Sequence, residues 1–231
     1  MSSVLALLPE LTDVNGDAQN ALVLARRARW AGLDAAVERL HVGESPSGTP
    51  LAVVLGSTTD PVLPQLLAAL ADLRSPLVDW LAAGVPVLAV GTGLEALTRA
   101  IRMPDGLLDG LGIVPADAEP LAARVAGDLV VSAPEGQLVG YENHSRGLRL
   151  EPGAEALGTV VRGVSDGRGV DGVRHGSLVG TRLHGPVLAK NPALADALLS
   201  AAFGRPVAPT GERAAAADAA AARIRTALLA S

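Results

Sequence analysis

The chain has 231 residues, a formal charge of −5 and 49% hydrophobic residues but only 2% aromatic ones. That supplies an aliphatic core while excluding the clustered cations and stacking rings that hold nucleic acid. No apolar run nears the roughly 20 residues of a membrane-spanning helix, the opening MSSVLALLPELTD lacks the pattern of a signal peptide, and zero cysteines exclude disulfides, thiolate metal sites and a cysteine nucleophile.

Composition shifts nowhere abruptly, so residues 1–231 read as a single domain, with no membrane insertion and a cytoplasmic location expected. In chain order, residues 4–8 read as a short buried strand, followed by the loop TDVNGDAQ and a helix over 19–31. Arg26, Arg27 and Arg29 crowd its last turns, where the helix dipole favours cations, and Gly32 supplies a left-handed cap. A second strand is expected at 35–41, and after the loop GESPSGTP the apolar run 51–55 suits a parallel strand buried on both faces. Helices at 61–73 and 77–83, a strand at 85–90 and a helix at 94–101 continue the alternation. This is the grammar of an α/β fold in three layers, a mostly parallel sheet flanked by helices. Beyond Pro104 the strand candidates 129–131, 138–141, 159–161 and 178–181 read as an antiparallel extension. Helices at 192–202 and 212–229 follow, the last Ala-rich and expected to pack loosely on the surface.

In open α/β sheets, ligands bind beyond the carboxyl ends of the strands. The segment VPVLAVGTGLEAL there is a buried strand entering a two-glycine turn and a helix, the shape of a nucleophile elbow with Gly91 at its apex. Its plain structural reading is a tight strand-to-helix turn, and as a dinucleotide-binding turn it lacks the third glycine and the later acid. Histidines show no metal-ligand spacing, so no metal and no cofactor is expected.

The turn, together with LLPELTDVNGDAQNALVLARRARWAGL, GYENHSRG and GTRLHGPVLAKNPALADALL, resembles the class I glutamine amidotransferases, within them the GatD and cobyric acid synthase branch. The resemblance implies a flavodoxin-like amidotransferase fold and makes His184 the general base of a cysteine whose place Gly91 takes. It puts Gly56, Ser57 and Thr92 at the substrate pocket and oxyanion site, and Asn143 and His144 in a family motif of unassigned role. The plain structural alternatives are a surface His184 and a turn in which Asn143 caps backbone. The chain departs from the family at Gly91, at Ser57 and Thr58 in place of a glycine run, at Asn15 where an aromatic residue is usual, and at Arg182 in place of a tyrosine, while keeping Gly16, Asp17 and Asn20.

A thioester needs a nucleophilic sulfur, which Gly91 cannot supply. The expectation is therefore a GatD-like subunit that pairs with a MurT-like Mur ligase, the kind that amidates the glutamate α-carboxylate of lipid II. It would act as scaffold or regulator and not as glutaminase. Two alternatives stay open: an active amidotransferase with another nucleophile such as Thr92, or a sensor holding glutamine or another small molecule in the same pocket.

Overall fold

The computed structural model describes residues 2–230. Its elements in chain order are β1 (Ser2–Leu7), α1 (Pro9–Thr12), α2 (Gln19–Trp30), β2 (Ala35–Leu40), β3 (Ala52–Leu55), α3 (Leu63–Ala71), α4 (Arg74–Ala82), β4 (Val87–Val90), α5 (Thr92–Leu97), β5 (Ala100–Met103), β6 (Gly106–Asp109), β7 (Ala116–Ala133), β8 (Gly136–Leu150), β9 (Gly158–Arg162), β10 (Val170–Asp171), β11 (Val173–His175), β12 (Leu178–Thr181), α6 (Val187–Lys190), α7 (Pro192–Phe203) and α8 (Glu212–Ala230). One sheet has the order β11-β12-β4-β3-β1-β2, parallel except for β11 at its edge.

The all-apolar strands are buried on both faces because successive side chains point to opposite sides. Leu5, Leu7, Val53, Leu55 and Val87 meet Leu63, Leu66 and Leu70 of α3 and Leu77 and Trp80 of α4. Val4, Ala6, Val54, Leu88 and Val90 face the other way, onto Ala21, Leu24 and Ala28 of α2 and Leu194 and Leu198 of α7. Helices thus cover both faces, as the alternation of elements requires. The end of α2 follows the expected chemistry: Gly32 adopts φ 74, and its amide donates to the Arg29 carbonyl at 3.0 Å.

Four expectations are corrected. Residues 178–181 do not extend an antiparallel region: β12 pairs parallel with β4, Leu178 opposite Val87, and is buried throughout. The helix expected at 94–101 starts at Thr92 and ends at Leu97 because Thr98 turns extended, and Ile101 lies in β5. Strand candidates 129–131 and 138–141 are pieces of the long hairpin β7–β8, whose register shifts between Pro120 and Val125. Leu8 is not the end of a strand but takes a left-handed φ of 50 to launch α1. The hairpin heads a second sheet, β10-β9-β7-β5-β6 with β8 on the free side of β7. It reaches the first sheet through a bridge between Tyr141 and His184.

Candidate active site

At the carboxyl end of β4 the chain reverses into α5 through Gly91, at φ 57 and ψ −123. That conformation is strained for any residue with a side chain, as in a turn built to hold one at a helix mouth. Backbone packs on backbone around it. A Cβ on Gly93 would run into the Gly56 carbonyl, and one on Gly56 into the Thr12 carbonyl. Gly56 therefore lets α5 and the loop after α1 close upon the end of β3, and it stays beneath the cleft instead of lining it.

His184, three residues past β12, is 1% exposed, and its amide donates to the Tyr141 carbonyl at 2.8 Å. The surface alternative for this histidine is thereby removed. Its Nδ1 lies 3.0 Å from Asp17 Oδ2. Asp17 is presented by a loop that turns through Asn15 (φ 69) and Gly16 (φ 74), and Asn20 ties it down by donating to the Asp17 carbonyl at 2.9 Å. Ser57 adds a short hydrogen bond to the same carboxylate oxygen, and its Oγ is 2.9 Å from the Val14 carbonyl. Asn15 Nδ2 stands 3.4 Å from both Ser57 Oγ and His184 Nδ1. Because an ionised carboxylate only accepts, the imidazole proton belongs on Nδ1, and Nε2 carries a lone pair.

The Cε1–Nε2 edge of the ring borders Gly91. A Cβ built there would sit 2.6 Å from His184 Cε1, 3.2 Å from Nε2 and 3.0 Å from Ser57 Cβ. The turn aims at the base, yet the ring and the serine have closed over the space a nucleophile's first carbon needs.

Above the turn opens a cleft of about 240 Å³, lined among others by Asn15, Ser57, Thr58, Asp60, Gly91, Thr92, Arg124, Asn143, His144 and His184. Thr92 does not face His184. Its hydroxyl accepts from the Thr58 amide at 2.5 Å and donates to the Thr58 carbonyl at 2.9 Å. One backbone donor of the loop after β3 is thereby consumed. The turn offered above as the plain alternative for GYENHSRG is not formed: its residues lie in strand β8, and the Asn143 side chain accepts from Arg124 at 2.6 Å. His144, 6% exposed, sits with Nε2 3.2 Å from Glu142 Oε2, and its Nδ1 has no hydrogen-bond partner among the described residues. Burial pushes the His144 pKa down, with Glu142 opposing it only in part. Burial alone would raise the Glu142 carboxyl, but His144 and the amides of Val164 and Ser165 outweigh it and hold it below the usual range.

Under α5 lies a set of buried charges. Arg182 is fully buried and donates to Glu95 Oε1 at 2.6 Å and to Asp166 Oδ1 at 3.3 Å. The second oxygen of Glu95 takes Arg146 Nε at 2.7 Å, and Arg146 grips Asp60 with two bonds of 2.6 and 3.0 Å. Hydrogen bonding to Arg146 lowers the Asp60 pKa, whereas burial pushes Asp166 up to about 6. Among the described residues no group of three or more metal-binding side chains occurs.

The structure thus brings Gly91, Ser57, Thr92, Asn143, His144 and His184 around one cleft and leaves Gly56 below it. Sequence reasoning did not assign Asp17, Glu95, Glu142 or Arg146. Asp17 carried a signal, an acid held between Gly16 and Asn20 in a loop after a first strand. The other three needed the three-dimensional pairing.

Residues 18–192 match the model of the CobB/CobQ-like glutamine amidotransferase domain. The chain is similar to the lipid II isoglutaminyl synthase (glutamine-hydrolyzing) subunit GatD of Staphylococcus aureus strain N315, 29% identical over 192 residues that cover 82% of this chain and 79% of that protein. It is also similar to cobyric acid synthase of Mycolicibacterium gilvum, 32% identical over 169 residues, 65% of this chain and 30% of the longer enzyme. Two solved structures share the fold: a glutamine amidotransferase of Thermotoga maritima (TM-score 0.55, 15% identity, 88% of this chain and 82% of that one) and PurLQS of the same organism (0.58, 12%, 88% and 96%). The domain match alone takes in well over half of the sequence, and the chain belongs to the CobB/CobQ-like glutamine amidotransferase family.

Proposed function

We propose that this chain is a GatD-like amidotransferase subunit that joins a MurT-like Mur ligase in the cytoplasm, supports amidation of a glutamate carboxylate as in lipid II, and does not itself hydrolyse glutamine. The observation that carries this reading is the space beside Gly91, where His184 Cε1 lies 2.6 Å from the position a Cβ would take. Glutamine hydrolysis of the family kind needs a nucleophile attacking the amide carbon, a base taking its proton and donors facing the developing oxyanion. Here the base and its carboxylate partner remain. No sulfur exists in any cysteine, since the chain has none.

The hydroxyls nearby do not substitute. Thr92 spends both its donor and its acceptor on Thr58. Ser57 is held on Asp17 and Val14, on the Nδ1 side of the imidazole and not at Nε2. The Thr58 amide, a candidate oxyanion donor, is occupied by Thr92. Each loss opposes the reading as an active glutaminase with another nucleophile. The whole chain acts here as one amidotransferase-like unit, kept for what it binds.

Purified chain, alone and with a Mur-type ligase, is to be assayed for ammonia release from glutamine. The expected result is release no faster than in buffer, while ligase turnover with ammonium chloride depends on the chain being present. Glutamine hydrolysis that disappears in Thr92→Val or Ser57→Ala would overturn the proposal.

A further inference from the structure

Away from the cleft, a second recess opens in the helical layer formed by α2, α6, α7 and α8. It holds about 210 Å³ and is framed by Leu22, Arg26 and Trp30 of α2, Leu188 of α6, Pro192 of α7 and Ala217 of α8. Leu22, Arg26 and Trp30 recur every four residues, so they share one face of α2. The recess exists because α8 meets it with alanine. That helix buries only Ala214 and Ala221, and it offers the methyl of Ala217 where a larger side chain would close the space. An apolar cavity of about 150 Å³ already takes a guest the size of benzene. This one has room for an aromatic or leucine-sized side chain, and Leu22, 44% exposed, stands at its edge.

Charge gives the sign of what belongs there. The four helices carry seven basic residues against three acidic ones, in a chain whose formal charge is −5. Two of the acids, Asp196 and Asp218, are both spent on Arg27, and the third, Glu212, starts α8 next to Arg213. Lys190 turns onto the Tyr141 ring, Arg29 donates to the Ala35 carbonyl and Arg225 to the Asn191 side chain. Arg26, in the wall of the recess, has no partner among the described residues. A second copy docked symmetrically here would set this basic layer against itself. An anionic bilayer would answer the charge but presents no anchor shaped for a recess.

We infer that this recess is a docking site for the ligase subunit, seating an aromatic or leucine-like anchor from an acidic segment of it, with a carboxylate of that segment on Arg26. The inference rests on the reading of the chain as a ligase-bound subunit, and adds where and by what chemistry the ligase is held. Anchors of this kind, set in a pocket and ringed by polar contacts, carry most of the energy of an interface.

The test titrates a Mur-type ligase into the full chain by calorimetry, at low and at physiological salt. Leu22→Glu sets a carboxylate against the apolar recess and Arg26→Glu reverses its cation. Each should weaken the ligase by at least about tenfold. Wild-type affinity should fall as salt rises, and less steeply in Arg26→Glu. Val78→Glu, similarly exposed on α4 across the sheet, should change nothing, and the melting temperatures of all three variants show whether the fold is intact. Ligase affinity unchanged in both recess variants overturns this inference alone. If the free chain then binds phosphatidylglycerol vesicles, or pairs with itself, in a manner that Leu22→Glu abolishes, the occupant is a bilayer or a second copy. A ligase that fails to bind even the wild type brings down the reading beneath the inference as well.

Discussion

The floor and the wall of the cleft treat polarity in opposite ways. Beneath α5, Arg182, Glu95, Arg146 and Asp60 pair in an unbroken row, and apart from Arg182 Nη2 the nitrogens and oxygens of that row are bonded. On the wall, His184 and His144 are each satisfied on one side and open on the other. So nearly complete a row of charges is a structural device, because every polar atom in it but Arg182 Nη2 already has its partner. Half-satisfied groups are where a ligand can gain. Arg182, which the sequence presents as a departure close to the base, belongs to the first class: it does not enter the cleft but braces the turn from below, 3.5 Å from the Gly91 carbonyl.

The largest expected effect comes from breaking the floor. Glu95→Ala leaves two buried guanidiniums short of a carboxylate and should cost about 3–5 kcal/mol in urea unfolding. Glu95→Met combined with Arg182→Met should cost less than the single change, since the charge left over is Asp166, which burial already pushes up to about 6 and which can take a proton. If the pair costs more than the single change, the row is not held by mutual compensation and the contrast with the wall fails.

This contrast also marks what the sequence could say. The parallel sheet was legible because most of its strands are continuous apolar runs and because the helix between the first two strands ends on clear signals, Arg29 and Gly32. The turn at Gly91 was legible from two glycines between a buried strand and a helix. Glu95 pairing with Arg146, 51 residues away, and with Arg182, 87 residues away, leaves no local pattern, so the row was invisible. The hairpin β7–β8 was read only in fragments because the middle of β7, from Ala122 to Arg124, is exposed and mostly small, without the alternation that announces a strand.

The next effect tests whether the wall has really closed. Gly91→Cys places a Cβ at 2.6 Å from His184 Cε1 in a left-handed backbone, and should destabilise by about 1–3 kcal/mol without creating glutamine hydrolysis. Ser57→Gly in the same chain removes the 3.0 Å neighbour and should restore part of the loss. A neutral Gly91→Cys that at once releases ammonia from glutamine would show that the ring swings freely. Smaller still, Thr92→Val strips both bonds from Thr58 and should cost about 1–2 kcal/mol by the same unfolding measurement. A loss near zero would mean that the Thr58 amide readily finds another acceptor, and is then available to a ligand.

The smallest effect is a change of slope with pH, and it separates the wall from the floor. Burial depresses the His144 pKa below its ordinary 6.5. Below pH 6.5 the unfolded chain therefore binds a proton that the folded chain resists, and stability from this group, complete above 6.5, is lost as pH falls toward the lower folded value. Asp166 acts in the other direction. Its carboxyl is raised from 3.8 to about 6, so the folded chain holds that proton more tightly and stability declines as pH rises between those values. The two oppose one another in wild type, and only removal of one exposes the other. His144→Gln keeps a donor for Glu142 but has nothing to titrate, so its stability relative to wild type should improve steadily from pH 7 to pH 5, read from urea midpoints. A relative stability that stays flat across that range would mean His144 is solvated in the folded chain, and the wall would then be no more open to a ligand than the floor.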